Sequence, residues 1–94
     1  MAKAYEEAKA GGKHAGFLSR HEELPDHLVE KAMRSFRRQI SMHKDWIAQP
    51  ERKLGPGAPP DKVRNLVEIK WPNDIKRLQA QLDILRGILQ ERKK

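Results

Sequence analysis

Residues 25–49 read PDHLVEKAMRSFRRQISMHKDWIAQ, and the periodicity of this stretch decides the fold. Val29, Met33, Phe36, Ile40, His43 and Ile47 recur at spacings of four, three, four, three and four. That is the seam of a helix packed along its length against another helix. Leu28, Ala32 and Trp46 widen the apolar stripe, Pro25 and Asp26 suit a helix start, and Pro50 marks the stop. The opposite face carries Lys31, Arg34, Arg37, Arg38 and Lys44, and Glu30 precedes Arg34 by the spacing that allows an ion pair.

A seam of this kind requires a partner, and residues 72–92 supply it. Ile75, Leu78, Leu82, Leu85 and Leu89 repeat at three, four, three and four, with Pro72 in the first turn and Asp74 near the positive end of the dipole. Two helices of about 22 residues, each about 33 Å long at about 1.5 Å per residue, pair most simply side by side and antiparallel. The expected fold is therefore all-α, an antiparallel pair of long helices. Antiparallel pairing sets the end of the first helix against the start of the second, so His43 should lie near Leu78, with Lys70, Trp71 and Asp74 beside it. Ala80, Ile84 and Gly87 form a second stripe of the last helix, suited to receiving another segment of the chain.

The remaining segments are shorter. Residues 1–24 read as an arm: AKAYEEAKA favours a helix but is too short to be stable alone, and Gly11-Gly12 ends it. Phe17 and Leu18 should dock the arm on the body, with Gly16 leaving the backbone around His14 free. Residues 50–60 hold four of the six prolines and two of the six glycines, the composition of a loop. Asp61 is placed to cap a short helix over residues 61–70, and Trp71-Pro72 should break it before the second long helix begins. The whole chain is one small helical domain.

Composition narrows the chemistry. Twenty Lys and Arg against thirteen Asp and Glu give a formal charge of +7, which favours partners carrying phosphate or carboxylate. Cysteine is absent, removing thiolate nucleophiles, disulfides and Cys-based zinc sites. No stretch approaches the roughly 20 apolar residues of a spanning helix, and both long helices are heavily charged outside their seams, so a soluble piece with no membrane partner is expected.

His43 is the most informative residue. An imidazole on a helix seam can act as a general base, or it can be a core group satisfied by a neighbouring carbonyl or carboxylate. A meeting with His14 would let two histidines divide base and acid roles in breaking a phosphodiester, with no metal or other cofactor. The spacings of His14, His21, His27 and His43 match no metal-ligand motif, and HExxH is absent, so no metal is expected. The serines sit in no nucleophile elbow, and Gly55 and Gly57 lack the Lys-Ser/Thr of a phosphate-binding loop. Arg34, Arg37, Arg38 and Lys44 can clamp backbone phosphates or form an ordinary solvated face. Trp71 can stack on a base or pack between helices.

Three segments in order, GGKHAGFL (11–18), MRSFRRQISMHKDWIAQP (33–50) and KWPNDIKRLQAQLDILRGIL (70–89), resemble the C-terminal toxin tips of bacterial polymorphic toxins, the variable ends of Rhs-repeat, contact-dependent inhibition and LXG proteins. The linker KLGPGAPPDK is more proline-rich than that pattern. The resemblance implies an effector delivered into a competing bacterium, acting in its cytoplasm and blocked by a cognate immunity protein. Nucleases, especially ribonucleases, are a common activity of such tips. The positions carried over are His14, Arg34, His43, Lys70 and Asp74. The expected function is a metal-independent nuclease, RNA favoured over DNA, with His43 as base, His14 as acid, Arg34 and Arg38 on phosphate, and Lys70 neutralising charge. The alternative is a basic helical module that binds nucleic acid or a partner protein without catalysis.

Overall fold

The computed structural model describes residues 3–94. Six helices follow in order: α1 (Lys3–Lys9), α2 (Ala15–His21), α3 (Asp26–Ala48), α4 (Glu51–Leu54), α5 (Pro60–Asn65) and α6 (Trp71–Arg92), with a π-helical turn over Leu66–Lys70 joining the last two. No strand occurs among the described residues.

The two periodic stretches form the expected antiparallel pair, α3 against α6. Val29, Met33 and Ile40 of the first seam are buried against Leu78, Leu82 and Leu85 of the second, while Phe36, Ile75 and Leu89 are partly covered at the margins. Both ends of the pair are tied. At one, Arg92 donates to the Asp26 carboxylate at 2.6 Å and to the backbone carbonyls of Glu22 and Leu24. At the other, His43 of α3 faces Asp74 of α6. The molecule measures 51 × 26 × 19 Å with a radius of gyration of 15.8 Å, larger than the about 12 Å of a globular chain of this length. A body so elongated has a thin core, and each buried contact carries a larger share of stability.

The N-terminal arm packs on the helix pair as expected, and the structure adds its internal form. Residues 3–21 form a hairpin of two short helices packed on the pair. Neither helix would persist alone, but α1 buries Tyr5 and Ala8, and α2 buries Phe17 and Leu18, in the common core. Phe17 and Leu18 thus dock as expected. The Gly11-Gly12 pair ends α1 in a left-handed turn: Gly11 has φ 88°, its N–H bonds to Ala8 O at 3.1 Å, and the Gly12 N–H reaches Glu7 O at 2.8 Å. This paired closure satisfies the last carbonyls of the helix and needs glycine at the positive φ.

The second stripe of α6 receives this hairpin. Ile84 is fully buried, and a Cβ at Gly87 would stand 2.3 Å from Tyr5 Cδ1, so the absence of a side chain there is what lets the tyrosine ring lie on the helix. Mid-helix glycine costs about 1 kcal/mol relative to alanine, offset here by the ring it admits. Burial raises the Tyr5 hydroxyl pKa above its ordinary value, with Glu91, Glu22 and Glu6 adding to the effect and Lys9 opposing it.

Three expectations are corrected between residues 50 and 74. The proline-rich loop contains a helical turn, α4. Pro59, not Asp61, occupies the N-cap of α5, and the Asp61 side chain makes no capping bond. Most consequentially, Trp71-Pro72 does not break the helix. Trp71 is helical, at φ −65° and ψ −40°, and its N–H bonds to Leu66 O across a widened turn. Proline 72 lacks an N–H, and in a regular α-helix its ring would strike the carbonyl of Glu68. The π turn shifts that carbonyl aside, so the chain stays helical from Pro60 to Arg92. Trp71 is only 4% exposed, and its packing outweighs the local preference against helix before proline.

Candidate functional site

The uninterrupted helix through Trp71 has a direct consequence for chemistry. Lys70 and Asp74, four residues apart, share one face, and the lysine ammonium lies 3.3 Å from the Asp74 carboxylate. Arg77, one turn further, approaches the same carboxylate at 3.9 Å. Across the interface the His43 Nε2 lies 3.7 Å from Asp74 Oδ2, and both side chains are largely shielded, at 14% and 18% exposure. Antiparallel pairing therefore assembles His43, Lys70 and Asp74 as the sequence anticipates, beside the end of α3.

The imidazole is fixed from its other side. His43 Nδ1 lies 2.7 Å from the Gln39 carbonyl oxygen, which can only accept, so Nδ1 carries hydrogen and donates. That leaves Nε2 as the atom that gains or loses a proton, turned toward Asp74. A carboxylate in that position orients the ring, as orienting carboxylates do in acid–base centres. Trp46 tilts against the ring at 4.6 Å between centroids, and Trp46 in turn meets Trp71 at 5.7 Å. Lys53 of α4 sits 4.7 Å over the Trp46 ring. The cluster thus has an apolar wall and three flexible cations, Lys53, Lys70 and Arg77, around one imidazole and one carboxylate. Arg77 and Lys53 were not singled out in the sequence, and Trp46 was placed there only in the apolar stripe of the first helix. The i,i+3 step from Asp74 to Arg77 was the available signal.

His14 takes no part in this cluster. It lies in the turn between α1 and α2 with φ 66°, the left-handed region, and no hydrogen bond or ring contact joins it to His43 among the described residues. The expected meeting of the two histidines fails because the N-terminal segment folds into its own hairpin on α6 instead of reaching the end of α3. His14 Nε2 is buried without a hydrogen-bond partner. His21 bonds through Nδ1 to Phe17 O at 2.7 Å and stacks on that ring, a packing role. His27 is exposed at the start of α3.

The arginines expected to clamp phosphate beside His43 lie elsewhere. Arg37 and His43 flank Ile40 by three residues on either side, about 60° around the helix in opposite senses. Arg34, nine residues before His43, projects about 180° away from it. Phe36, on the His43 side of the seam, meets Phe17 of α2 at 5.8 Å, so that flank is the one covered by the N-terminal hairpin. The other flank is open. There Arg37 lines three adjoining hollows of roughly 340, 210 and 300 Å³ along the groove between α3 and α6, joined by Arg86 in two of them and by Arg34 or Lys93 in one each. Arg38 and Lys44 are exposed and line none of these hollows. Glu30 does not form the expected bridge to Arg34; among the described residues Arg34, Arg37 and Arg38 have no carboxylate within ion-pair distance. Trp71, proposed as a stacking platform, is buried and cannot offer a face to a base.

No helix among the described residues is long and apolar enough to cross a membrane. Comparison with protein-family models, with curated proteins and with solved structures finds no match to the chain.

Proposed function

We propose that the chain is the toxin domain of a bacterial polymorphic-toxin effector and cleaves nucleic acid without a metal, RNA in preference to DNA, in the cytoplasm of the cell it enters. A cognate immunity protein is the partner this role requires. The observation that carries the reading is the convergence of His43, Asp74 and Lys70 from two antiparallel helices onto a partly open surface. In this mechanism the ribose 2′-hydroxyl attacks phosphorus, and the phosphorus bond to the 5′-oxygen breaks. His43 Nε2 takes the hydroxyl proton, Asp74 stabilises the imidazolium, and Lys70 with Arg77 offsets the charge on the phosphoryl oxygens. Water supplies the proton to the departing 5′-oxygen. DNA lacks the internal hydroxyl, which is why a metal-free route favours RNA. His14 and the row Arg34, Arg37 and Arg38 play no part in this mechanism.

The test is cleavage of total RNA and of plasmid DNA by the purified domain in excess chelator. RNA should be cut and DNA spared, His43→Ala and Asp74→Asn should each lower the rate by about 100-fold or more, and His14→Ala should stay close to the parent. Intact RNA, or a His43→Ala variant that still kills cells when expressed, sinks the proposal.

A second reading is favoured by one observation: both nitrogens of His43 are already engaged, with Gln39 and with Asp74, as in a residue that ties two helices together. Under it the domain binds nucleic acid or a protein without catalysis. Binding would then weaken steeply with salt and survive His43→Gln, with no strand scission at any enzyme concentration.

A further inference from the structure

We infer that the open groove between α3 and α6 docks an amphipathic helix with acidic flanks, supplied by a partner protein. The two long helices create two grooves, one on each flank of their seam. One is filled by the chain's own short helices, which bury Tyr5, Ala8, Phe17 and Leu18 there. Its counterpart carries the same kind of floor, made of Met33, Ile40, Leu82 and the partly exposed Leu89, and no residue of α1 or α2 reaches it. The shape accepts a helix on both sides, and only one side has received one.

The rim decides the charge of the missing helix. Arg34, Arg37, Arg86 and Lys93 stand around the hollows against Glu30 and Asp83, and Asp83 is already bridged to Arg86 at 3.2 Å. Among the described residues, Arg34 and Arg37 have no carboxylate within ion-pair distance. Guanidinium groups so placed favour carboxylates presented in pairs. A nucleic acid fits this groove less well. No aromatic side chain lines it for base stacking, and a continuous phosphate chain would run past Glu30 and Asp83, whereas a helix can turn a Lys or Gln toward them. From Gln79 to Lys93 the groove extends about 21 Å, the length of about four helical turns.

The proposal stands apart from the cleavage reading, since it shares no residue with the His43 cluster. It is tested by titrating the isotope-labelled full chain with a synthetic peptide of about 14 residues, leucines at helical spacing and glutamates elsewhere, and following backbone amide resonances. Shifts should concentrate at Arg37, Gln79, Arg86 and Gln90. A peptide with glutamine in place of glutamate should bind at least about tenfold more weakly, and the double variant Arg37→Glu/Arg86→Glu should lose at least about tenfold toward the acidic peptide while keeping its circular dichroism spectrum. Absence of shifts at millimolar peptide, equal binding of the two peptides, or shifts centred on His43 and Asp74 overturns the proposal. So does a single-stranded RNA oligonucleotide that occupies the groove residues more tightly than the acidic peptide.

Discussion

The two flanks of the α3–α6 pair begin from the same geometry and end in opposite states. On one, Gly87 and Ile84 admit the N-terminal hairpin, and the surface becomes core. On the other, Arg37 and Arg86 rise beside an equivalent floor, and the surface stays open. Burying an arginine against the short helices would have required a paired carboxylate, and α1 offers its acidic residues to solvent instead. The difference teaches that a helix pair is not by itself a scaffold with a front and a back. Side-chain size on one flank and side-chain charge on the other create that distinction.

Four measurements would break or sharpen it, beginning with the largest effect. Ile84, fully buried on the closed flank, should cost about 2–4 kcal/mol when replaced by alanine, read as a lower urea midpoint with an unchanged slope. A loss below about 1 kcal/mol would mean that the hairpin is not seated there. Gly87→Ala sets two effects against each other: alanine gains about 1 kcal/mol in helix propensity, but its methyl meets the Tyr5 ring at 2.3 Å. We expect a net loss of about 1–2 kcal/mol from displacement of that ring, relieved in the Tyr5→Ala background. A variant more stable than the parent would place Tyr5 elsewhere.

The third measurement uses pH. Burial raises the Tyr5 hydroxyl pKa above its ordinary value of 10.0, so the folded state holds this proton more tightly than the unfolded chain does. The sign follows: the associated stability is fully present below the unfolded pKa and is lost as pH rises through the folded one. Unfolding free energy should therefore fall above about pH 10, and Tyr5→Phe should flatten that decline. An identical alkaline slope in both proteins would remove the basis for it. The smallest effect belongs to the open flank. Arg37→Gln should change stability by no more than about 0.5 kcal/mol, since the side chain is exposed and has no ion-pair partner among the described residues. A loss above about 1 kcal/mol would show that the arginine has an intramolecular role.

Within the candidate site the same contrast separates what local sequence could and could not convey. His43, Lys70 and Asp74 were legible because each follows from a periodic position plus one rule, antiparallel pairing of two seams. Arg34, Arg37 and Arg38 do not belong to that site because nearness in sequence is not nearness on a helix: nine, six and five residues before His43, they stand about 180°, 120° and 140° around the axis from it. Trp71 and Pro72 were misread for a related reason. The local rule against helix before proline is real, but it is a modest preference, and the burial of one tryptophan against Trp46 exceeds it. Had the helix broken there, Lys70 would not share a face with Asp74.

The sequence by itself determined that the chain is all-α, that its two long helices pair antiparallel, and that it carries a formal charge of +7. Each of these rests on a repeat or a composition summed over many residues, where single exceptions average out. Only the tertiary structure decided that residues 3–21 are a helical hairpin, that His14 makes no contact with the His43 cluster, and that Arg34 and Arg37 line a separate groove. Short helices acquire their stability from the surface they bury, and that surface exists only once α3 and α6 have met.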